Sequence, residues 1–174
     1  MTYDIIGNIA IIKLKQEGKL KTKFQKSEAL NRRKKFLSQK FRTTKYSGLH
    51  KISALKFAKK LLKMPNIKTV LEKTSYIKGR LRTFKTKFIA GERTLESIHK
   101  ENNCLFKLNI EKCYFSPRQA NDRLKVAKKI NKKDKVLVMF SGIGSYPIVI
   151  YKITKPKSMT TIEISKECNK YAVE

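Results

Sequence analysis

The chain has 174 residues, with 42 Lys+Arg against 13 Asp+Glu and a formal net charge of +29. Apolar residues make up 40%, enough for a real core and too many for wholesale disorder. No apolar run approaches the roughly 20 residues of a membrane span, and Met1-Thr2-Tyr3-Asp4 lacks the basic start of a signal peptide. Cys104, Cys113 and Cys168 form no CxxC pair and are odd in number, which argues against a zinc ribbon or a disulfide scaffold. The expectation is a reduced, cytoplasmic protein with no membrane partner and no metal.

Tyr3 to Ile12 is rich in isoleucine and carries Gly7-Asn8 at its middle. It reads as one bulged strand, or as two short strands around a turn. Residues 13–52 then hold 14 Lys/Arg and two acids, Glu17 and Glu28. The densest part is Arg32-Arg33-Lys34-Lys35. A solvated arm and a phosphate-gripping insertion, about 14–50, are compatible readings, because basic arms order on nucleic acid. A +29 chain repels itself unless a polyanion offsets the charge. Nucleic acid is the natural partner, since cations on phosphates release counterions. The competing explanation is a compositional lysine excess: 8 of the 42 cations are Arg, leaving 34 Lys.

Lys51 to Lys63 has apolar residues at 52, 55, 58 and 62, and Pro65 follows. That spacing predicts a helix with Ile52, Leu55, Ala58 and Leu62 on its core face. Short strand-like runs fill 67–115: Ile67–Leu71, Phe84–Ala90, Thr94–His99, Cys104–Ile110 and Lys112–Phe115. Lys78-Gly79, Gly91-Glu92 and Asn102-Asn103 are the turn candidates between them. Residues 1–115 therefore read as a small α+β domain.

Ser116-Pro117 changes the texture. Residues 119–131 read as a helix with Leu124, Val126, Ala127 and Ile130 inward. Val136-Leu137-Val138-Met139-Phe140 has the continuous apolar character of a buried parallel strand. Ser141-Gly142-Ile143-Gly144 follows, then a helix over 146–153, a strand over 160–164 and a helix from Lys166. This β-loop-α-β-α order opens a Rossmann-like sheet, so the fold class is α/β: a small α+β domain followed by an incomplete Rossmann-like one over 116–174.

Glycines after a parallel strand let the backbone approach a ligand and leave helix N–H groups facing it. Here they are Gly142 and Gly144, not the GxGxxG of a dinucleotide site. Glu163 closes the second strand, where a carboxylate can accept ribose hydroxyls. A tight turn beside an exposed acid is the structural alternative.

Six blocks together resemble the archaeal and eukaryotic class I tRNA (guanine-N1-)methyltransferases. They are Tyr3-Asp4-Ile5-Ile6-Gly7-Asn8, Lys78-Gly79-Arg80-Leu81-Arg82-Thr83, Ile89-Ala90-Gly91-Glu92-Arg93-Thr94, Ile98-His99-Lys100-Glu101-Asn102, Lys112-Cys113-Tyr114-Phe115-Ser116-Pro117-Arg118 and Met139-Phe140-Ser141-Gly142-Ile143-Gly144. The resemblance spans nearly the whole chain outside the basic stretch. It implies S-adenosylmethionine-dependent N1-methylation of guanosine 37 in tRNA. It implies that Phe140, Ser141, Gly142, Ile143, Gly144 and Glu163 hold the donor. Arg82 falls on the family arginine that activates and holds the guanine, and Asp122 on the position of its general base. Tyr114, Arg118 and Arg123 fall in blocks that face RNA, with Arg32, Arg33, Lys34 and Lys35 adding grip. His99 is expected to be structural or RNA-contacting rather than catalytic.

The sequence departs from the family in three places. Asp122 stands for a glutamate, one methylene shorter. Val138 stands for an acidic residue. The later Asn-x-Pro-type motif and most strands of the sheet are absent from these residues. Residues 116–174 are therefore expected to be marginally folded unless a companion chain completes the sheet. Two alternatives stay open: aminocarboxypropyl transfer in the wybutosine pathway, and a non-catalytic basic RNA-binding protein.

Overall fold

The computed structural model describes residues 1–14 and 48–174. The Arg32–Lys35 cluster lies outside the described residues. The first block is a hairpin of β1 (Thr2–Ile6) and β2 (Ile9–Lys13), with Ile6 opposite Ile9 and Gly7-Asn8 as the turn. Gly7 has φ +54°, and a Cβ there would lie 2.1 Å from the Ile98 carbonyl oxygen. Its N–H donates to His99 Nδ1 at 3.1 Å. Left-handed strain and overpacking each cost roughly 1–3 kcal/mol, so Gly7→Ala is expected to lower stability by about 2–6 kcal/mol. A urea unfolding midpoint that barely moves would show that the hairpin tip is not held there.

From β2 the chain crosses through α1 (Gly48–Leu61) to the parallel strand β3 (Thr69–Lys73). Strand β4 (Thr86–Gly91) pairs antiparallel with β3, giving the order β1-β2-β3-β4. A parallel neighbour requires such a crossover, and the basic stretch lies in sequence within it. Ile9 and Ile11 enter one buried cluster, whereas Ala10 and Ile12 enter another under α1. Both faces of β2 are thus covered, which is why it reads as unbroken apolar sequence.

Helix α1 buries a face rotated from the expected one. Ala58 is buried and Leu62 packs on the core as expected, but Ala54 and Leu61 are buried in place of Ile52 and Leu55, which are exposed. Both registers satisfy the 3.6 period. The two alanines let the helix lie close on the sheet, and that proximity selects the register.

Strands β5 (Glu96–Glu101) and β6 (Cys104–Asn109) form a second hairpin. Asn102 and Asn103 have φ +47° and +58°, as a two-residue primed turn requires. The expected strand at Lys112–Phe115 does not form. The segment is an irregular strap that buries Cys113 and Phe115.

A 3₁₀ turn (Pro117–Gln119) leads into α2 (Ala120–Lys129), then β7 (Lys135–Met139), α3 (Ser145–Thr154), β8 (Ser158–Ile162) and α4 (Lys166–Val173). Strands β7 and β8 are parallel, with Leu137 opposite Thr160. In α2 the buried residues are Arg123 and Ala127, and Val126 faces out. Strand β7 is covered on one face: Val136 and Val138 pack on the core, while Leu137 is 57% exposed and Met139 61%. One buried cluster runs from Ile9, Ile11 and Leu71 through Phe106 and Leu108 to Ile143, Val149 and Ile150. No helix among the described residues is long and apolar enough to cross a membrane.

Candidate active site

The carboxyl ends of β7 and β8 open on a cavity of about 190 Å³. One wall is the glycine loop. The chain leaves β7 at Phe140 with φ +58°, and Gly142 and Gly144 also have positive φ. Ser141 N–H still bonds the Ile162 carbonyl at 3.1 Å, so the loop stays tied to β8. Glu163 closes this wall: its Oε2 accepts the Gly142 N–H at 2.7 Å, and its Oε1 accepts the Ser165 N–H at 2.7 Å. Ser165 Oγ in turn accepts the Cys168 N–H and caps α4. The carboxylate thereby fixes the loop and retains lone pairs for an incoming hydroxyl.

The opposite wall comes from the 78–83 turn and the strap. Lys78 N–H bonds the Thr83 carbonyl at 2.9 Å, which presents Arg82 at φ +52°. The Arg82 guanidinium lies 4.7 Å from the centre of the Tyr114 ring. Arg82 and Phe140 are both non-glycine residues in the left-handed region, at a cost of order 1–3 kcal/mol each, and both line this cavity. Such strain at two residues of one cavity marks a site that packing elsewhere maintains.

Arg123 holds the strap from behind. Its side chain is 1% exposed. Its Nη2 donates to Glu101 Oε2 at 2.7 Å and to the Ser116 carbonyl at 2.9 Å. The guanidinium also lies 4.9 Å from the Phe115 ring centre. Glu101 is 5% exposed and faces His99 Nε2 at 3.3 Å. Because His99 Nδ1 accepts from Gly7, its Nε2 carries the proton and donates to Glu101. Burial pulls the His99 pKa down, against the opposing pull of Glu101, and favours this neutral form. A continuous polar chain thus runs from the β1–β2 turn to the strap.

Several expected site residues therefore take other roles or places. Arg123 borders the cavity from behind the strap, but its side chain is 1% exposed and engaged by Glu101 and the Ser116 carbonyl, so it is corrected from an RNA contact to a structural cation. Asp122 is exposed on the first turn of α2 and does not line the cavity, although Gln119 does. Arg118 is exposed and pairs with Asp4. Arg82, Tyr114, Phe140, Ser141, Gly142 and Glu163 are brought together in one cavity. Ile143 is buried beneath the loop, and Gly144 lies in a neighbouring apolar cavity of about 490 Å³ that contains none of Arg82, Tyr114 or Glu163.

Two residues at this site escaped the sequence reading. Glu101 stands in the Ile98–Asn102 block with no role assigned to it, and its partner Arg123 lies 22 positions away. Cys168 lines the cavity and accepts a hydrogen bond from the Cys113 thiol, which lowers its pKa to about 7. The same bond and burial push Cys113 up. No spacing signal could have joined these pairs.

Residues 97–174 match the TRM5/TYW2 methyltransferase domain. The chain belongs to the TRM5/TYW2 methyltransferase family. It is 33% identical over 173 residues to the tRNA (guanine(37)-N(1))-methyltransferase Trm5b of Pyrococcus abyssi, covering 99% of this chain and 42% of that protein. The crystal structure of that Trm5b superposes with a TM-score of 0.67 at 30% identity, over 98% of this chain and 42% of the other. A tRNA (guanine(37)-N(1))/4-demethylwyosine(37)-methyltransferase, Taw22 of Nanoarchaeum equitans, is 37% identical over 68% of this chain and 40% of its own. A tRNA(Phe) (4-demethylwyosine(37)-C(7)) aminocarboxypropyltransferase of Methanocaldococcus jannaschii is 35% identical over 67% of this chain and 46% of its own. The chain thus spans 40–46% of the length of these TRM5/TYW2 relatives. The TRM5/TYW2 match begins within β5, so it takes in the hairpin that carries His99 and Glu101 as well as the glycine loop.

Proposed function

We propose that this chain serves S-adenosylmethionine-dependent N1-methylation of guanosine 37 in tRNA, in the cytoplasm. The observation that carries the reading is the cavity between Arg82–Tyr114 and Gly142–Glu163. One wall suits a purine and the other a ribose.

S-adenosylmethionine supplies an electrophilic methyl group when bound. The residues present fit it. Glu163 keeps lone pairs for ribose hydroxyls, Gly142 offers an open backbone with no heavy atom closer than 3.9 Å to an added Cβ, and exposed Phe140 and Ile164 offer an apolar flank. The 190 Å³ enclosed is below the roughly 300–1,000 Å³ of small-ligand sites. It suffices for a base, while the exposed flank must carry the rest of the donor.

On the opposite wall, Tyr114 offers a stacking face for guanine. Arg82 occupies that face in the free protein and must turn aside, which leaves its guanidinium beside the base edge. There it stabilises the negative charge that develops on O6 as N1 loses its proton. Asp122, exposed on the first turn of α2 beside Gln119's end of the cavity, is the carboxylate assigned to take that proton, directly or through one water. Distances in a free enzyme are often longer than in the complex.

In this reading residues 1–115 present RNA and 116–174 hold the donor. The exposed Leu137, Met139 and Ile162 support a further covering element over β7–β8, in this chain's longer form or in a companion chain. Similarity to an aminocarboxypropyltransferase keeps one alternative. The test is transfer to a guanosine-37 tRNA transcript from donor labelled on the methyl group or on the carboxyl carbon. Methyl label in RNA, lost when position 37 is adenosine, is the expected result. Carboxyl label would establish aminocarboxypropyl transfer, and RNA binding without either label would establish the non-catalytic reading.

A further inference from the structure

A further cavity, of about 450 Å³, lies behind the strap, between it and the β1–β4 sheet. It falls within the roughly 300–1,000 Å³ typical of ligand sites. Tyr114, Phe115 and Ser116 line both cavities, so a wall one residue thick separates them.

The chemistry of this cavity is distinctive. Lys13, Lys73 and Arg118 line it against a single acid, Asp4, so three cations against one acid leave +2. Asp4 is already engaged by Lys13 and Arg118. Lys73 has no carboxylate partner among the described residues; its Nζ lies 4.6 Å from the centre of the Phe84 ring. Burial and the nearby Lys13 both lower its pKa, with Asp4 opposing. A half-buried cation beside a second cation is costly unless an anion arrives. Tyr3 and Phe84 add aromatic walls. An excess of cations, one of them without a carboxylate partner, next to aromatic faces suits a nucleotide, with phosphate on Lys73 and the base against the rings.

We propose that this cavity is a second nucleotide site, which takes an RNA nucleotide adjacent to the target guanosine, its phosphate on Lys73 and its base against Phe84 and Tyr3. The proposal rests on the tRNA reading above. Two consecutive splayed nucleotides would straddle the strap, one in each cavity. Gripping the neighbour would hold the target base out of its stack, a cost that enzymes acting on single bases must meet.

The test uses the whole chain and a stem-loop RNA carrying guanosine 37, with 2-aminopurine at either flanking position. The fluorescence of one flanking probe should change on binding. Lys73→Gln should weaken binding roughly tenfold and reduce the slope of log affinity against log salt by about one. That loss should vanish when the phosphate of the same nucleotide is replaced by a neutral methylphosphonate. Lys73→Arg should retain the coupling, which separates charge from folding. Additive losses, with RNA binding and transfer intact, would overturn the second site alone. Failure of the unaltered chain to bind the RNA would overturn the tRNA reading and this site together.

Discussion

Glu101→Ala is expected to destabilise the protein by about 3–5 kcal/mol, because it leaves the Arg123 guanidinium buried without a counter-charge. Net stabilities are only about 5–15 kcal/mol, so the variant should be partly unfolded at physiological temperature. Burial decides the magnitude. The paired side chains are 1% and 5% exposed, whereas exposed pairs such as Lys68–Glu92 contribute about 0–1 kcal/mol. Arg123→Ala should cost a similar amount, since Glu101 would then be stranded.

The double variant Arg123→Met with Glu101→Leu should lose much less than the sum of the two. Replacing both members of a buried pair with apolar residues is often close to neutral. The urea midpoint followed by circular dichroism measures all three. An Arg123→Ala protein of unchanged stability but weakened RNA affinity would restore Arg123 as an RNA contact. The functional consequence follows from position. Arg123 bonds the Ser116 carbonyl and stacks on Phe115, so it fixes the wall shared by both cavities. Loss of the pair should therefore disturb RNA and donor binding together.

Arg82→Ala is expected to reduce single-turnover methyl transfer about 10²–10³-fold, the range for removing one donor to a developing negative charge. Donor affinity, measured by equilibrium dialysis, should stay unchanged, because Glu163 and the glycine loop form the other wall. An effect on kcat and kcat/KM alike would identify an interaction made in the transition state. A pure rise in KM would reduce Arg82 to a phosphate or stacking contact. The substitution should not harm folding. Arg82 is exposed and sits in the left-handed region, so little packing is lost with its side chain.

The two expectations differ in how visible their residues are in the sequence. Arg82 lies in a contiguous block, Lys78 to Thr83, whose local turn presents it. Glu101 and Arg123 meet only because the β5–β6 hairpin packs against α2, and nothing in their spacing announces it.

The same division runs through the molecule. Local chemistry was readable where one segment carried the whole instruction. Gly7-Asn8 and Asn102-Asn103 make two-residue turns because their residues tolerate positive φ. The order strand, glycine loop, helix, strand around 135–162 follows from apolar runs and Gly142, and Glu163 stands where such an acid is expected. The motif blocks sufficed for the family, since each is a short contiguous stretch.

Tertiary packing decided the rest. Periodicity allowed two faces for α1, and the close approach of Ala54 and Ala58 to the sheet chose between them. The apolar run at 136–140 has the character of a buried parallel strand, yet two strands with two helices cannot cover both faces of a sheet, and Leu137, Met139 and Phe140 are exposed accordingly, because burial depends on what lies across a strand rather than on its own residues. Arg123 reads as one more cation in a chain with net charge +29, yet it is among the largest fully buried side chains. Charge composition reports the average environment of arginines. The position of a single carboxylate, brought from 22 residues away, determined that this one is internal.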